Sequence, residues 1–153
     1  MSDSTTVTVR PASEGDLDHV LRLYDELAEG GSASLPIRHG AGARYAELRS
    51  QPGRLLLVAE AGGAVRGTAD LLIVPNLTNG GRPWMIIENV IVDGRFRRQG
   101  IGKALMEAVI RRAVTANCYK IQFLSRKDRT DAHAFYGRFG FESLAEGFRR
   151  YFE

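Results

Sequence analysis

Two glycines, Gly100 and Gly102, follow directly on Arg97-Arg98-Gln99 and precede Lys103-Ala104-Leu105-Met106. Behind them lies the apolar run Met85-Ile-Ile-Glu-Asn-Val-Ile-Val92. The pattern predicts a buried strand, a short basic turn and a helix that opens on glycine. Such a helix start is an anion site. Its first backbone N–H groups have no intrahelical partner, and the macrodipole places positive potential there. Glycine lets a phosphate approach the backbone closely, so amides can do most of the holding. Arg95, Arg97, Arg98 and Lys103 should add mobile positive charge around it.

Two other glycine-loop chemistries fail on the residues. A dinucleotide fingerprint needs a small residue three after its second glycine, where this chain has Leu105. A Walker loop needs Ser or Thr after Gly-Lys, and here Ala104 follows Lys103. What remains is [Arg/Gln]-x-x-Gly-x-Gly, filled by Arg97, Gly100 and Gly102. It resembles the acyl-CoA-binding motif of the GNAT N-acetyltransferase superfamily.

The elements that must position this turn can be read in order. Thr6 to Arg10 alternates as a first strand that Pro11 should end, and Ser13-x-x-Asp16 has capping-box character ahead of a helix over about Asp16 to Glu29. Gly30 to Gly42 reads as a loop and Ala43 to Arg49 as a short helix. Arg54 to Glu60 and Ala64 to Val74 form a hairpin about Ala61-Gly62-Gly63, and Pro75 to Pro83 is a second loop. Trp84 to Val92 should be a central strand and Gly100 to Ala116 a long helix with Ile101, Leu105, Ala108, Val109 and Ala113 on the sheet. Tyr119 to Leu124 is a fifth strand, Asp131 to Phe139 a helix, and Phe141 to Phe152 the last strand or two. The result is a mixed α/β sheet with a βαβ crossover in its second half.

Composition narrows the function classes. The chain has 153 residues, 44% hydrophobic and 25% charged, which suits one compact domain over 1–153. A net charge of +3 suits an anionic ligand but is too small and too interleaved with acids for nucleic acid. No apolar run approaches a membrane span, and the first residues lack a secretion signal, so a cytoplasmic location is expected. Cys118 is the sole cysteine, best read as a small buried hydrophobe, and no Cys/His spacing suggests a metal.

The resemblance extends over roughly Ala64 to Phe152, where strand, Gly-x-Gly helix start, next strand and Phe135-Tyr136-x-x-x-Gly140-Phe141 keep the superfamily's spacing. It implies a single mixed, mostly antiparallel sheet with splayed central strands flanked by helices. It also implies acetyl-CoA as cosubstrate, with the pantetheine arm along the main chain of Val90, Ile91 and Val92. The diphosphate would rest on the amides of Arg98, Gln99, Gly100, Ile101, Gly102 and Lys103, beside Arg97. Val90 N–H would polarise the thioester carbonyl. Arg129 stands where many relatives have an asparagine ahead of the Phe-Tyr pair, and with Phe135 and Tyr136 it joins the expected cofactor-contacting set.

Catalytic roles follow from the same resemblance. Tyr136 matches the thiol-facing tyrosine, and a phenol of pKa about 10 remains a proton donor at neutral pH for a departing thiolate whose acid has a pKa of about 8.5. Its alternative is one more aromatic packing a helix. Glu88 lies within an apolar strand, where a carboxylate is costly unless hydrogen-bonded or facing a cavity. It would orient the acceptor amine or accept its proton, or else pair structurally with an arginine. Asn89 points to the opposite face if the strand is regular.

A narrower likeness joins Ile87-Glu88-Asn89-Val90-x-Val92 to Cys118-Tyr119-Lys120-Ile121. It resembles the glucosamine-6-phosphate N-acetyltransferases, which are intertwined homodimers. Asn89 replaces their second acid, and Leu124 stands at an aspartate position. The acceptor expected is a primary amine on a small molecule, with an amino-sugar phosphate among the candidates, and the chain a homodimer. Arg126, Lys127 and Arg129 would answer a negative group on such an acceptor, or form an exposed cationic loop. Protein N-terminal or lysine acetylation, and a CoA-binding sensor without turnover, are the other classes.

Overall fold

A computed structural model describes residues 5–31 and 35–152; part of the loop expected over Gly30 to Gly42 therefore lies outside the described residues. The chain forms two compact units, one running through Gln122 and the other from Phe123 onward.

The first unit is built on one sheet of five strands in sequence order, β1 (Val7–Pro11), β2 (Arg54–Ala61), β3 (Ala64–Val74), β4 (Trp84–Val92) and β5 (Ile121–Gln122). β1 to β4 pair antiparallel, and β5 lies parallel to β4. The β2–β3 hairpin closes on the pair Ala61–Ala64 across the two expected turn glycines. β1 runs one residue further than expected. Pro11 stays in the ladder opposite Leu57 because an edge strand can spare one N–H.

Helices α1 (Leu17–Glu29) and α2 (Ala41–Ser50) cover one face of the sheet, and α3 (Ile101–Thr115) the other. Alternation along the strands divides the core. Leu56, Val58 and Ile91 pack with Val20, Leu23 and Leu27 of α1 and Tyr45 of α2. On α3, Ile101, Leu105, Met106, Val109 and Ala113 are buried; Met106 takes the place expected for Ala108, which is only half-buried. Each large side chain so buried contributes about 1.5–3 kcal/mol. α1 is led in by Asp16, whose carboxylate accepts the Ser13 N–H at 2.8 Å and the Ser13 hydroxyl at 3.0 Å. Arg10 of β1 closes on the same carboxylate at 2.7 and 3.0 Å, joining strand to helix start. α2 begins two residues before Ala43, directly after Gly40.

In the second unit, α4 (Thr130–Gly137) gathers an aromatic cluster. Tyr136 lies 4.4 Å from Phe123, Phe141 lies 5.1 Å from Phe123, and Phe135 lies 5.2 Å from Phe139, between ring centroids. Two expectations are corrected in the C-terminal part. β5 is limited to Ile121–Gln122 instead of Tyr119 to Leu124, and residues 141–152 form no strand. Strands are held by cross-strand pairs and a buried face, and Leu144, Phe148, Tyr151 and Phe152 are 83% to 90% exposed.

Candidate active site

The centre of β4 departs from a regular strand. Asp70 of β3 faces Glu88, yet Thr68 faces Ile91, so β4 carries one extra residue between them. Asn89 takes up the irregularity at φ 51°. Asparagine tolerates the left-handed region better than most residues because its short amide can bond locally. The bulge replaces the regular alternation expected at Asn89, and bulges characteristically re-aim side chains.

Glu88 is exposed, so its carboxylate does not bear the desolvation cost expected of a charge inside an apolar strand. The buried acid is its neighbour Asp70, gripped by Arg54 through two bonds of 2.7 and 2.6 Å. That carboxylate raises the Arg54 pKa, with a smaller contribution from Glu88. Tyr24 of α1 lies against the same group, its phenol pushed well up by burial and then by Asp70. The arginine pairing considered for Glu88 thus belongs to Asp70. Among the described residues Glu88 makes no ion pair.

Beyond the bulge, Val90 and Val92 are half-buried and Ile91 is buried. Pairing with β5 stops at Met85–Ile121 and Ile86–Gln122. From Ile87 to Val92 the outer edge of β4 has no ladder partner among the described residues. An extended ligand could hydrogen-bond there as an added strand.

The turn after β4 is braced on two sides. Asp93 accepts the Arg95 N–H at 3.0 Å and the Arg95 guanidinium at 3.1 and 2.9 Å, with Arg66 at 3.7 Å. These contacts, the Arg95 hydrogen bond foremost, hold the Asp93 carboxyl below its ordinary range against the opposing effect of burial. Arg66 stacks 3.9 Å over the Phe96 ring. Glu26 of α1 accepts the Gly94 N–H at 2.8 Å and lies 3.5 Å from Arg97. The sequence expectation of mobile positive charge is corrected here, because Arg95 and Arg97 are tied to carboxylates and Lys103 lies 3.9 Å from Glu107. Arg98 is exposed, at φ 61°.

Gly100 caps α3 in the left-handed region at φ 83°, where a side chain would be strained. A Cβ placed on it would meet nothing within 4 Å, so the helix start faces open space. Ile101, 1% exposed, anchors the first turn beneath. Ala104 N–H bonds the Gly100 carbonyl at 3.0 Å, leaving the N–H groups of Ile101, Gly102 and Lys103 ahead of the first intrahelical bond. These residues fit a diphosphate: amide donors ahead of the first intrahelical bond, a cap glycine whose Cβ would meet nothing within 4 Å among the described residues, and the positive end of a helix dipole.

In the second unit Tyr136 is half-buried. Burial pushes its phenol up, and Arg129, just before α4, pulls it partly back. Phe135 meets Tyr136 at 5.4 Å between ring centroids. Arg126 bonds Asp128 at 2.6 Å, so it is engaged within its own loop. Cys118 is half-buried with its thiol pushed up by burial, as suits an unreactive side chain. No helix among the described residues is long and apolar enough to cross a membrane.

Sequence reasoning missed Glu26, Asp70 with Arg54, and the Asp93–Arg66 brace. Asp93 alone left a local trace, as an aspartate two residues before the arginine whose N–H it accepts. Glu26 is 68 positions from its partner Gly94, and no periodicity relates them.

Comparison with known proteins gives the family and the fold. The acetyltransferase (GNAT) family profile matches residues 20–141. A glucosamine 6-phosphate N-acetyltransferase of Trypanosoma brucei brucei is 31% identical over 145 residues, covering 94% of each chain. Among solved structures, a putative acetyltransferase from Agrobacterium tumefaciens superposes with a TM-score of 0.84 at 38% identity, covering 94% of this chain and 99% of its own. A Bacillus halodurans protein described as a transcriptional regulator gives 0.85 at 31% identity, covering 96% and 100%.

Proposed function

This chain belongs to the acetyltransferase (GNAT) family, and on that premise we propose that it transfers the acetyl group of acetyl-CoA directly to a primary amine of a small molecule within a ternary complex. The observation that carries the proposal is the start of α3, where Gly100 caps the helix in the left-handed region with nothing within 4 Å of a Cβ, behind a braced basic turn. Acetyl-CoA supplies an activated thioester. The amides of Arg98 to Lys103 hold its diphosphate, and the open edge of β4 from Val90 to Val92 aligns its arm, with Val90 N–H polarising the carbonyl as charge develops on oxygen.

Glu88 orients the amine and takes its proton, directly or through water, as nitrogen attacks the carbonyl carbon. Exposed beside the bulge, Glu88 is open to a cationic group. Tyr136 gives its proton to sulfur as the C–S bond breaks; its raised phenol keeps that proton through neutral pH. The acceptor class we favour is an amino-sugar phosphate, supported by the trypanosomal relative's name and its near full-length match. We also read the chain as a homodimer, supported by the exposed Leu144, Phe148, Tyr151 and Phe152.

Calorimetric titration with CoA tests the cofactor site. Wild-type protein should bind, and a folded Gly102→Val variant should lose most of the affinity because a branched side chain enters the cradle. Unchanged affinity in that variant would refute the assignment.

A further inference from the structure

We propose that Glu26 is a positioning residue for the cofactor turn, setting from α1 where the backbone and Arg97 of the phosphate cradle stand. The inference rests on the reading that the start of α3 holds acetyl-CoA. One carboxylate oxygen, Oε1, accepts the Gly94 N–H at 2.8 Å and faces Arg97 Nη2 at 3.5 Å. It therefore touches both the main chain that leads out of β4 and the arginine that opens the Arg97-x-x-Gly100-x-Gly102 pattern. Its own platform is firm, for the adjacent Leu27 and the preceding Leu23 are both 5% exposed within the α1–sheet core.

Gly94 reports how close this approach is. Its φ lies outside the left-handed region, so backbone conformation does not call for glycine. A Cβ there would stand 2.6 Å from Glu26 Oε1 and 4.0 Å from Arg97 Cζ. The absence of a side chain is what lets the carboxylate reach the amide. With Asp93 gripping Arg95 on the other side, the turn is clamped before the helix begins. A diphosphate site made of backbone donors depends on such clamping, since its donors are useful only within about 0.5 Å of their productive places.

Glu26→Ala should raise KM for acetyl-CoA and Kd for CoA about fivefold or more, with kcat and acceptor KM within about twofold. Glu26→Gln, whose amide oxygen can still accept the Gly94 N–H, should stay within about twofold of wild type on all four. Gly94→Ala keeps every hydrogen-bonding group but displaces the carboxylate, so it should weaken CoA binding to a similar extent, and it supplies the test if Glu26→Ala fails to fold. The double variant should bind no worse than Glu26→Ala alone, because the clash disappears with the carboxylate. CoA binding that is unchanged or tighter in Glu26→Ala, an acceptor KM that rises in step, or full additivity in the double variant would overturn the inference. Wild-type protein that binds no CoA would defeat the cofactor reading itself, and this inference with it.

Discussion

Tyr136 is where single-residue chemistry can be separated from packing. Tyr136→Phe keeps the ring that Phe123 and Phe135 touch and removes only the hydroxyl. Turnover should fall about 100-fold with CoA affinity little changed, as measured by steady-state kinetics beside calorimetry; a loss under about twofold would deny the acid role. Because burial raises the phenol, the donor is present from acid through neutral pH and is lost only as pH climbs past its raised value. The alkaline limb of kcat should accordingly lie above about 10, and be absent from the Phe variant. Glu88→Gln should slow turnover without weakening CoA binding. The aromatic setting of Tyr136 was legible because Phe135, Tyr136, Gly140 and Phe141 lie close together in the sequence. The setting of Glu88 was not, since the bulge beside it exists only where β4 pairs with β3, and the one local hint was an asparagine able to adopt φ 51°.

At the scale of elements, regular periodicity was readable and pairing was not. α1, the β2–β3 hairpin, β4 and α3 follow from apolar spacing and glycine punctuation in their own sequence. β5 and residues 141–152 carry apolar residues too, but a strand exists only where a neighbour supplies a ladder. One element boundary makes a prediction about acid stability. The Asp16 carboxyl is held far below the ordinary carboxylate range, by the Arg10 hydrogen bond first and Ser13 next, against desolvation. A lowered folded-state pKa stabilises the fold above the unfolded value of about 3.9, and that stabilisation is lost as pH falls toward the folded value. Asp16→Asn should cost about 2 kcal/mol at pH 7, and its deficit relative to wild type should shrink in acid, read from urea unfolding at both pH values. For α3, Gly100→Ala should keep the helix while straining φ 83° by about 1 kcal/mol, seen as a modest fall in Tm.

For the whole molecule, the sequence carried the family because its two motifs, the glycine pair and the Phe-Tyr pair, are each local and lie at the superfamily's separation. It carried the acceptor poorly. The segments expected as loops, Gly30 to Gly42 and Pro75 to Pro83, carry no periodic sequence pattern, and the cations after β5 are partly committed, as Arg126 is to Asp128. The exposed apolar residues from Leu144 to Phe152 predict self-association: light scattering at micromolar concentration should give about twice the 16.9 kDa chain mass, and a monomer mass would contradict the homodimer. Acetyl transfer to a small amine is measured directly by free-thiol release from acetyl-CoA. Glucosamine-6-phosphate, glucosamine, a polyamine and short peptides are compared at matched concentration. Thiol release should be fastest with glucosamine-6-phosphate and should fall sharply in the Gly102→Val protein. Preference for polyamine or peptides over both sugars, or no release above the acceptor-free rate with any of them, would contradict the account.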